Sequence, residues 1–343
     1  MLTRTITPQE LDTVLSHYNA GLLTSPAELG GGTANANMTL ETANGKYFLK
    51  RRNPKYANLG FVAFDHRLME YLAPFQLGTP LAVQTSTKER WLVLGETVYE
   101  LYPYQKGNNH DPASLEQLAS AGSRLASFHR ATRHFPTIAG KEWQRYHSPT
   151  GIRGGLEALS SEIKQRLSVA DYTYLQEQTS LLERDFPDSR YHALPKLVVH
   201  GDYHPGNLKF LEDHVSGVFD LDWATVQPRI LDLADGVFLF AGERASEIDA
   251  TDIVSLTQTW TPSEHRTRAF LEAYLQHEQM TEDEWGVMEL AIRARWLHCR
   301  IGGMAKLPEK HRVTYLLEGL LEPLRALHSL NPLFLSLRKP AKR

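Results

Sequence analysis

The chain has 343 residues, 42% of them hydrophobic and 22% charged, the balance of a folded protein long enough for two lobes and a sizeable core. A formal net charge of −3 excludes any general pull toward nucleic acid or an anionic membrane surface. The single cysteine, Cys299, excludes an internal disulfide and a multi-cysteine zinc site.

The opening MLTRTITPQELD lacks an apolar signal core, and no run approaches the roughly 20 apolar residues that span a bilayer, so a cytoplasmic protein is expected. Thr7-Pro8-Gln9-Glu10 predicts a helix start with a capping box. Residues 26–104 then read mostly as strands. NMTLETANGKYFLKR alternates polar and apolar residues around a hairpin signal at Ala43-Asn44-Gly45. One helix interrupts, FVAFDHRLMEYLA, with Phe61, Phe64, Leu68 and Leu72 on roughly one face. Strand character returns in RWLVLGETVYELYPY.

After QKGNNHDP the chain turns helical. Asp111-Pro112 reads as a cap and first helical position, with Leu115, Leu118, Leu125 and Phe128 at helical spacing. Further helices are expected near 151–167, 171–186, 229–240, 262–278, 282–303 and 313–328, those at Thr261 and Thr281 with capping-box starts. The exception is LVVHGDYHPGNLKFLEDHVSGVFDLDWA, which predicts short strands at 196–199, 208–211 and 215–221. A β-rich first lobe (1–105) and a larger, mainly helical second lobe (106–343) follow, with a cleft at their short junction.

That segment concentrates the chemistry. Asp202 and Asn207 have the D-x-x-x-x-N spacing of a phosphoryl-transfer loop. An acceptor hydroxyl has a pKa far above neutral, so a carboxylate must orient it and take its proton. An asparagine carbonyl oxygen suits Mg²⁺, which prefers hard oxygen ligands. A second carboxylate must share that metal, and Asp220 supplies it if the strands flanking Glu212-Asp213-His214 form a hairpin. In the first lobe, Gly30, Gly31 and Gly32 let backbone N–H groups approach anionic oxygens. Lys50 follows on the next strand, with Arg51 on the opposite face.

VHGDYHPGNLKF followed by GVFDLDWA resembles the aminoglycoside phosphotransferase / choline kinase-like superfamily, and within it the homoserine-kinase-type small-molecule kinases. The resemblance implies an α+β, protein-kinase-like two-lobed fold and an ATP- and Mg²⁺-dependent kinase acting on a hydroxyl of a small molecule. It implies Asp202 as catalytic base, Asn207 and Asp220 as Mg²⁺ ligands, and Lys50 with Gly30–Gly32 as phosphate-binding elements. Asp65 matches the helix acid that pairs with that lysine, with Glu70 as the competing candidate. The backbone from Glu100 to Tyr102 matches the adenine-contacting hinge. PRILDLAD, with Asp232, and LASFHRATRHF, with His129, match segments of the second lobe. Only about nine residues separate Asp220 from the next helix, too few for the peptide-docking platform of a protein kinase.

Rival readings remain open at this point. His200, Asp202 and His204 could form a metal-hydrolase cluster, or the chain could be a nucleotide-binding pseudokinase. His200 and His204 are expected as loop scaffolding, His204 alternatively at the pocket edge, and His129 as a buried, hydrogen-bonded histidine. Asp222 could support the metal or face the acceptor. Arg293, Arg295, His298 and Arg300 read mainly as a solvated or capping face, one member of which could reach a substrate carboxylate. Amino alcohols such as homoserine or choline, sugars and aminoglycosides are the candidate acceptors. No motif speaks to oligomeric state.

Overall fold

The computed structural model describes residues 6–30, 35–136, 141, 145–249 and 251–338. Helix α1 (Pro8–Leu15) starts with the expected capping box: Glu10 N–H donates to Thr7 Oγ1 at 3.2 Å, and the Glu10 carboxylate accepts from Thr7 N–H. Strands β1 (Glu28–Leu29), β2 (Ala36–Thr42) and β3 (Gly45–Arg51) precede helix α2 (Leu59–Leu72), and β4 (Leu92–Leu94) and β5 (Thr97–Pro103) complete an antiparallel sheet in the order β1-β2-β3-β5-β4.

The period of two places the chemistry. Met38, Leu40, Leu49 and Leu101 pack with Leu11 and Val14 of α1 on one face of this sheet. Asn37, Thr39, Phe48, Lys50 and Arg52 line the cleft on the other. Arg51, between the latter two, turns back to Glu10 of α1 at 2.8 Å, as the alternation requires.

The second lobe begins at α3 (Leu115–Thr132), three residues later than Pro112 suggests. Ser114 is its cap and accepts from Gln117 N–H at 3.0 Å. The expected helix 151–167 is two, α4 (Pro149–Glu157) and α5 (Ser160–Arg166). After α6 (Val169–Asp185) and α7 (Asp188–Ala193) come β6 (Lys196–Val199), β7 (Leu208–Leu211), β8 (His214–Val218) and β9 (Thr225–Pro228). β7 and β8 form the expected hairpin, whereas β6 pairs with β9, a partner the reading of the sequence did not include.

Helix α8 (Ile230–Asp235) continues into a π-helical stretch, Gly236–Ala241. α9 (Ile253–Leu256) and α10 (Glu264–Leu275) follow, the latter capped by Ser263 without a side-chain bond rather than by a capping box at Thr261. The expected helix 282–303 divides into α11 (Glu282–Trp285), which does carry the Thr281–Glu284 capping box, and α12 (Met288–Met304). Helices α13 (Glu309–Leu317), α14 (Leu321–Ala326) and α15 (Asn331–Leu337) close the described chain. Among the described residues no helix is long and apolar enough to cross a membrane.

A cleft of about 1940 Å³ lies between the sheet and the helical lobe. Within the helical lobe, α3 and α10 pack closely. A Cβ at Gly122 of α3 would lie 2.2 Å from the carbonyl oxygen of Phe270 on α10, so only glycine permits this approach. Gly122→Ala is expected to force the helices apart and cost about 1–3 kcal/mol, read as a lower midpoint in urea denaturation with little change in slope.

Candidate functional site

The loop after β6 is held from below. The backbone N–H groups of His200 and Gly201 both donate to the buried carboxylate of Asp232, at 2.7 and 2.8 Å. His129 Nε2 meets the same carboxylate at 3.0 Å, and its Nδ1 meets the Tyr274 hydroxyl at 2.9 Å. Gly201 has φ +78°, and a Cβ there would lie 2.6 Å from the Trp223 carbonyl oxygen, so the turn admits glycine alone. His200 Nε2–H donates to the Phe219 carbonyl at 2.9 Å, and its Nδ1 accepts from Asp202 N–H at 3.3 Å. Burial lowers the His200 pKa, consistent with a neutral ring.

This arrangement leaves no metal-hydrolase cluster. Both ring nitrogens of His200 are committed to backbone groups. Among the described residues no three His, Cys, Asp or Glu gather as metal ligands.

Asp202 projects into the cleft with each oxygen beside a cationic or polarised group. His204 Nε2 lies 3.5 Å from Oδ2, and Arg295 Nη2 lies 3.6 Å from Oδ1. His204 Nδ1 accepts from Gly206 N–H at 3.0 Å, which puts a proton on Nε2, the atom facing Asp202. Burial pushes the Asp202 carboxyl up, but His204 and Arg295 outweigh it and hold the group below the usual carboxylate range. The Asn207 side-chain amide donates to the Asp202 carbonyl at 2.9 Å, which fixes the orientation of its own Oδ1. The hairpin returns the chain as required: Phe219 N–H donates to the Asn207 carbonyl at 3.0 Å, one residue before Asp220.

Asp220 sits in left-handed backbone conformation, φ 62° and ψ 66°. For a residue other than glycine this costs on the order of 1 kcal/mol and aims the side chain out of the hairpin. Its Oδ1 lies 2.9 Å from Lys50 Nζ, across the cleft. Lys50 also meets Asp222 Oδ1, at 2.7 Å. Burial opposes the Lys50 charge, but the two aspartates overcome it and raise the lysine's pKa.

The acid on α2 does not meet Lys50. Asp65 bonds Arg52 Nη1 at 2.7 Å and Lys141 Nζ at 2.5 Å. Glu70 pairs at the surface with Arg90, at 2.6 Å. Of the expected hinge residues, Tyr102 lines the cleft, whereas Glu100 does not. It is fully buried, forked onto Arg52 at 2.7 and 2.8 Å, and bonded to His66 at 2.7 Å and the Tyr102 hydroxyl at 3.0 Å. Its backbone lies opposite Lys50 within the sheet. Tyr102, Pro103, Tyr104 and Gln105 wall the cleft instead. Gly30 lines the cleft too, its N–H bonded to the Asn37 carbonyl at 2.8 Å. Gly31 and Gly32 lie outside the described residues.

Arg52, Lys141, Asn35 and Asp235 were not anticipated as site residues. Arg52 had a signal, since it shares the strand face of Phe48 and Lys50. Lys141 had none, because tertiary contact alone brings it beneath α2. Arg295 and His298 line the cleft, whereas Arg293 and Arg300 are buried and bond chiefly to main-chain and side-chain oxygens of the helical lobe. Arg295 also pairs with Asp235, whose carboxyl burial pushes up to about 7 against the arginine's pull.

The family model for the phosphotransferase enzyme family matches residues 26–290. The chain belongs to that family. Similar proteins include homoserine kinases of Chelativorans sp., 28% identical with 67% of this chain and 68% of the relative covered, and of Paramagnetospirillum magneticum, 25% identical with 88% and 90% covered. Among solved structures, an amicoumacin kinase in complex with AMP-PNP and Ca²⁺ superposes with a TM-score of 0.67 at 12% identity, covering 98% of each chain. A microcompartment-associated aminopropanol kinase gives 0.66 at 12% identity, covering 95% of this chain and 99% of its own. This family member therefore has the protein-kinase-like fold and is a small-molecule kinase with an alcohol as acceptor.

Asp232→Ala removes the acceptor of two buried N–H groups and one histidine. It is expected to destabilise the phosphotransferase by about 3–5 kcal/mol, measured by urea denaturation, with the activity falling as the Asp202 loop loosens.

Proposed function

We propose that the protein transfers the γ-phosphate of ATP, with Mg²⁺, to a hydroxyl of a small metabolite bound in the helical half of the cleft. The observation that carries this reading is the convergence of Lys50, Asp202, Asn207 and Asp220 on one cleft, with Asn207 tied at once to the backbone of Asp202 and to the residue before Asp220. In this reading Asp202 orients the acceptor hydroxyl and takes its proton. Its depressed pKa makes it a weak base, so its contribution is largely orientation, as in phosphoryl transfer generally. Lys50 and the segment at Gly30 hold the nucleotide phosphates.

The donor set suits a hard divalent cation. Asn207 Oδ1 and the Asp220 carboxylate are hard oxygen donors at the open end of the β7–β8 hairpin, and the Asp220 side chain is 35% accessible from the cleft. Bound there, Mg²⁺ would offset charge on the phosphates. The lobe boundary falls in this reading near 105–106, between β5 and α3. Homoserine is the first acceptor to test, because the curated relatives that cover most of the chain are homoserine kinases. Choline, aminopropanol, sugars and aminoglycosides complete the panel.

ATP consumption in the presence of Mg²⁺ should rise with at least one class of that panel; a flat response across all classes would remove the kinase assignment. Asp202→Asn should lower kcat by about 10²–10⁴-fold while nucleotide still binds. Asp202 stays ionised below its ordinary range, so kcat/KM should show no acid limb from this group between pH 8 and 5. His204→Gln removes the largest influence that lowers the Asp202 pKa, so any acid limb should then move to higher pH. A pH–rate profile of both proteins checks the sign.

A further inference from the structure

We infer that Asp222 is the positioning residue for Lys50, the part that the acid on α2 does not play in this chain. The inference rests on reading the cleft as a nucleotide site. Among the described residues, the carboxylates that meet Lys50 are Asp220 and Asp222. The two differ in accessibility. The Asp220 side chain is 35% exposed to the cleft, and that of Asp222 is 3% exposed.

Both oxygens of Asp222 are already committed. Oδ1 accepts from Lys50 at 2.7 Å and lies 3.3 Å from Arg52 Nη1, while Oδ2 accepts from the Asn35 side-chain amide at 2.9 Å. A carboxylate so enclosed is placed to hold neighbours and is poorly placed to take a metal or an acceptor. Three residues of the first lobe thus converge on one residue of the second.

The identity of the third partner extends the inference. Asn35 lies three positions after Gly32 in the sequence, and its Oδ1 accepts from Asn53 N–H at 2.9 Å, so the amide cannot rotate without losing a bond. One carboxylate therefore gathers both first-lobe elements that would touch phosphate, the lysine and the stem of the glycine segment. The α2 acid is unavailable for this: Asp65 is taken by Arg52 and Lys141. Lys141 also donates to the Leu221 carbonyl at 3.3 Å, so α2 is moored to the segment between the two aspartates independently of Lys50.

The test is a thermodynamic cycle of nucleotide binding by the full-length protein, titrating ATP with MgCl₂ into wild type, Asp222→Asn, Lys50→Met and the double variant. Loss of a charge-assisted bond predicts that Asp222→Asn raises Kd roughly ten- to a hundredfold. It should add less than about threefold when Lys50 is already Met, because the lysine it acts through is gone. Steady-state kinetics should show a raised KM for ATP and an unchanged KM for the acceptor, a split that a general structural fault would not produce. Multiplying effects in the double variant, unchanged nucleotide binding, or a shift confined to Mg²⁺ dependence or to acceptor KM would overturn the inference. Asn35→Ala leaves the buried charges intact and should weaken ATP binding about three- to tenfold; an unaltered Kd there would remove the link to the glycine segment. Wild-type protein that binds no nucleotide would overturn the parent reading, and this inference with it.

Discussion

Four carboxylates, those of Asp65, Glu100, Asp220 and Asp222, share three cations, Lys50, Arg52 and Lys141, where the two lobes meet. Removing so many charges from water is unfavourable, and only close mutual pairing compensates for it. Arg52 carries most of that pairing. It forks onto Glu100, reaches Asp65 and approaches Asp222, and these three acids raise its pKa against the burial that opposes its charge. Its planar fork grips one carboxylate with two parallel bonds while still reaching others, a geometry that a lysine ammonium does not offer. Because each partner is buried, any one of them alone would be an uncompensated charge, so the arrangement holds the sheet, α2 and the Asp220–Asp222 turn in one relation.

The working groups are placed at the edges of this network. Asp220 is its most exposed acid, turned out of the hairpin by its left-handed backbone. Asp202 lies outside it, fixed from beneath through His200, Gly201 and Asp232 and flanked by His204 and Arg295. The design separates rigidity from reactivity. The groups proposed to meet ligands border the cleft, and the groups that hold them are buried.

Much of this was legible. The apolar runs around Glu212-Asp213-His214 placed Asp220 beside Asn207 at the open end of one hairpin, and the backbone bond between Phe219 and Asn207 is the contact that pattern implied. The alternation of β3 separated Lys50 from Arg51. The errors were of partner rather than of place. Asp65 was matched to Lys50 because it stands on the expected helix, yet a shorter side chain with Arg52 and Lys141 nearby finds them first. The Glu100–Tyr102 backbone was matched to the hinge by resemblance; of its two ends, Glu100 is buried within β5 opposite Lys50 and Tyr102 lines the cleft. Helix starts also moved from the expected cap to a nearby serine, from Asp111 to Ser114 and from Thr261 to Ser263.

By itself the sequence determined what local spacing can express: the two lobes' secondary structure, the face on which each strand residue lies, and the membership of the hairpin that carries Asn207 and Asp220 at its ends. Those depend on periods of 2 and 3.6 and on residues a few positions apart. Only the tertiary structure decided who pairs with whom across the cleft. Lys141 meets Asp65 at a sequence separation of 76, and Asp222 meets Asn35 at one of 187. Such pairings are settled by competition among buried charges for a few partners, and that competition exists only once the lobes have closed on each other.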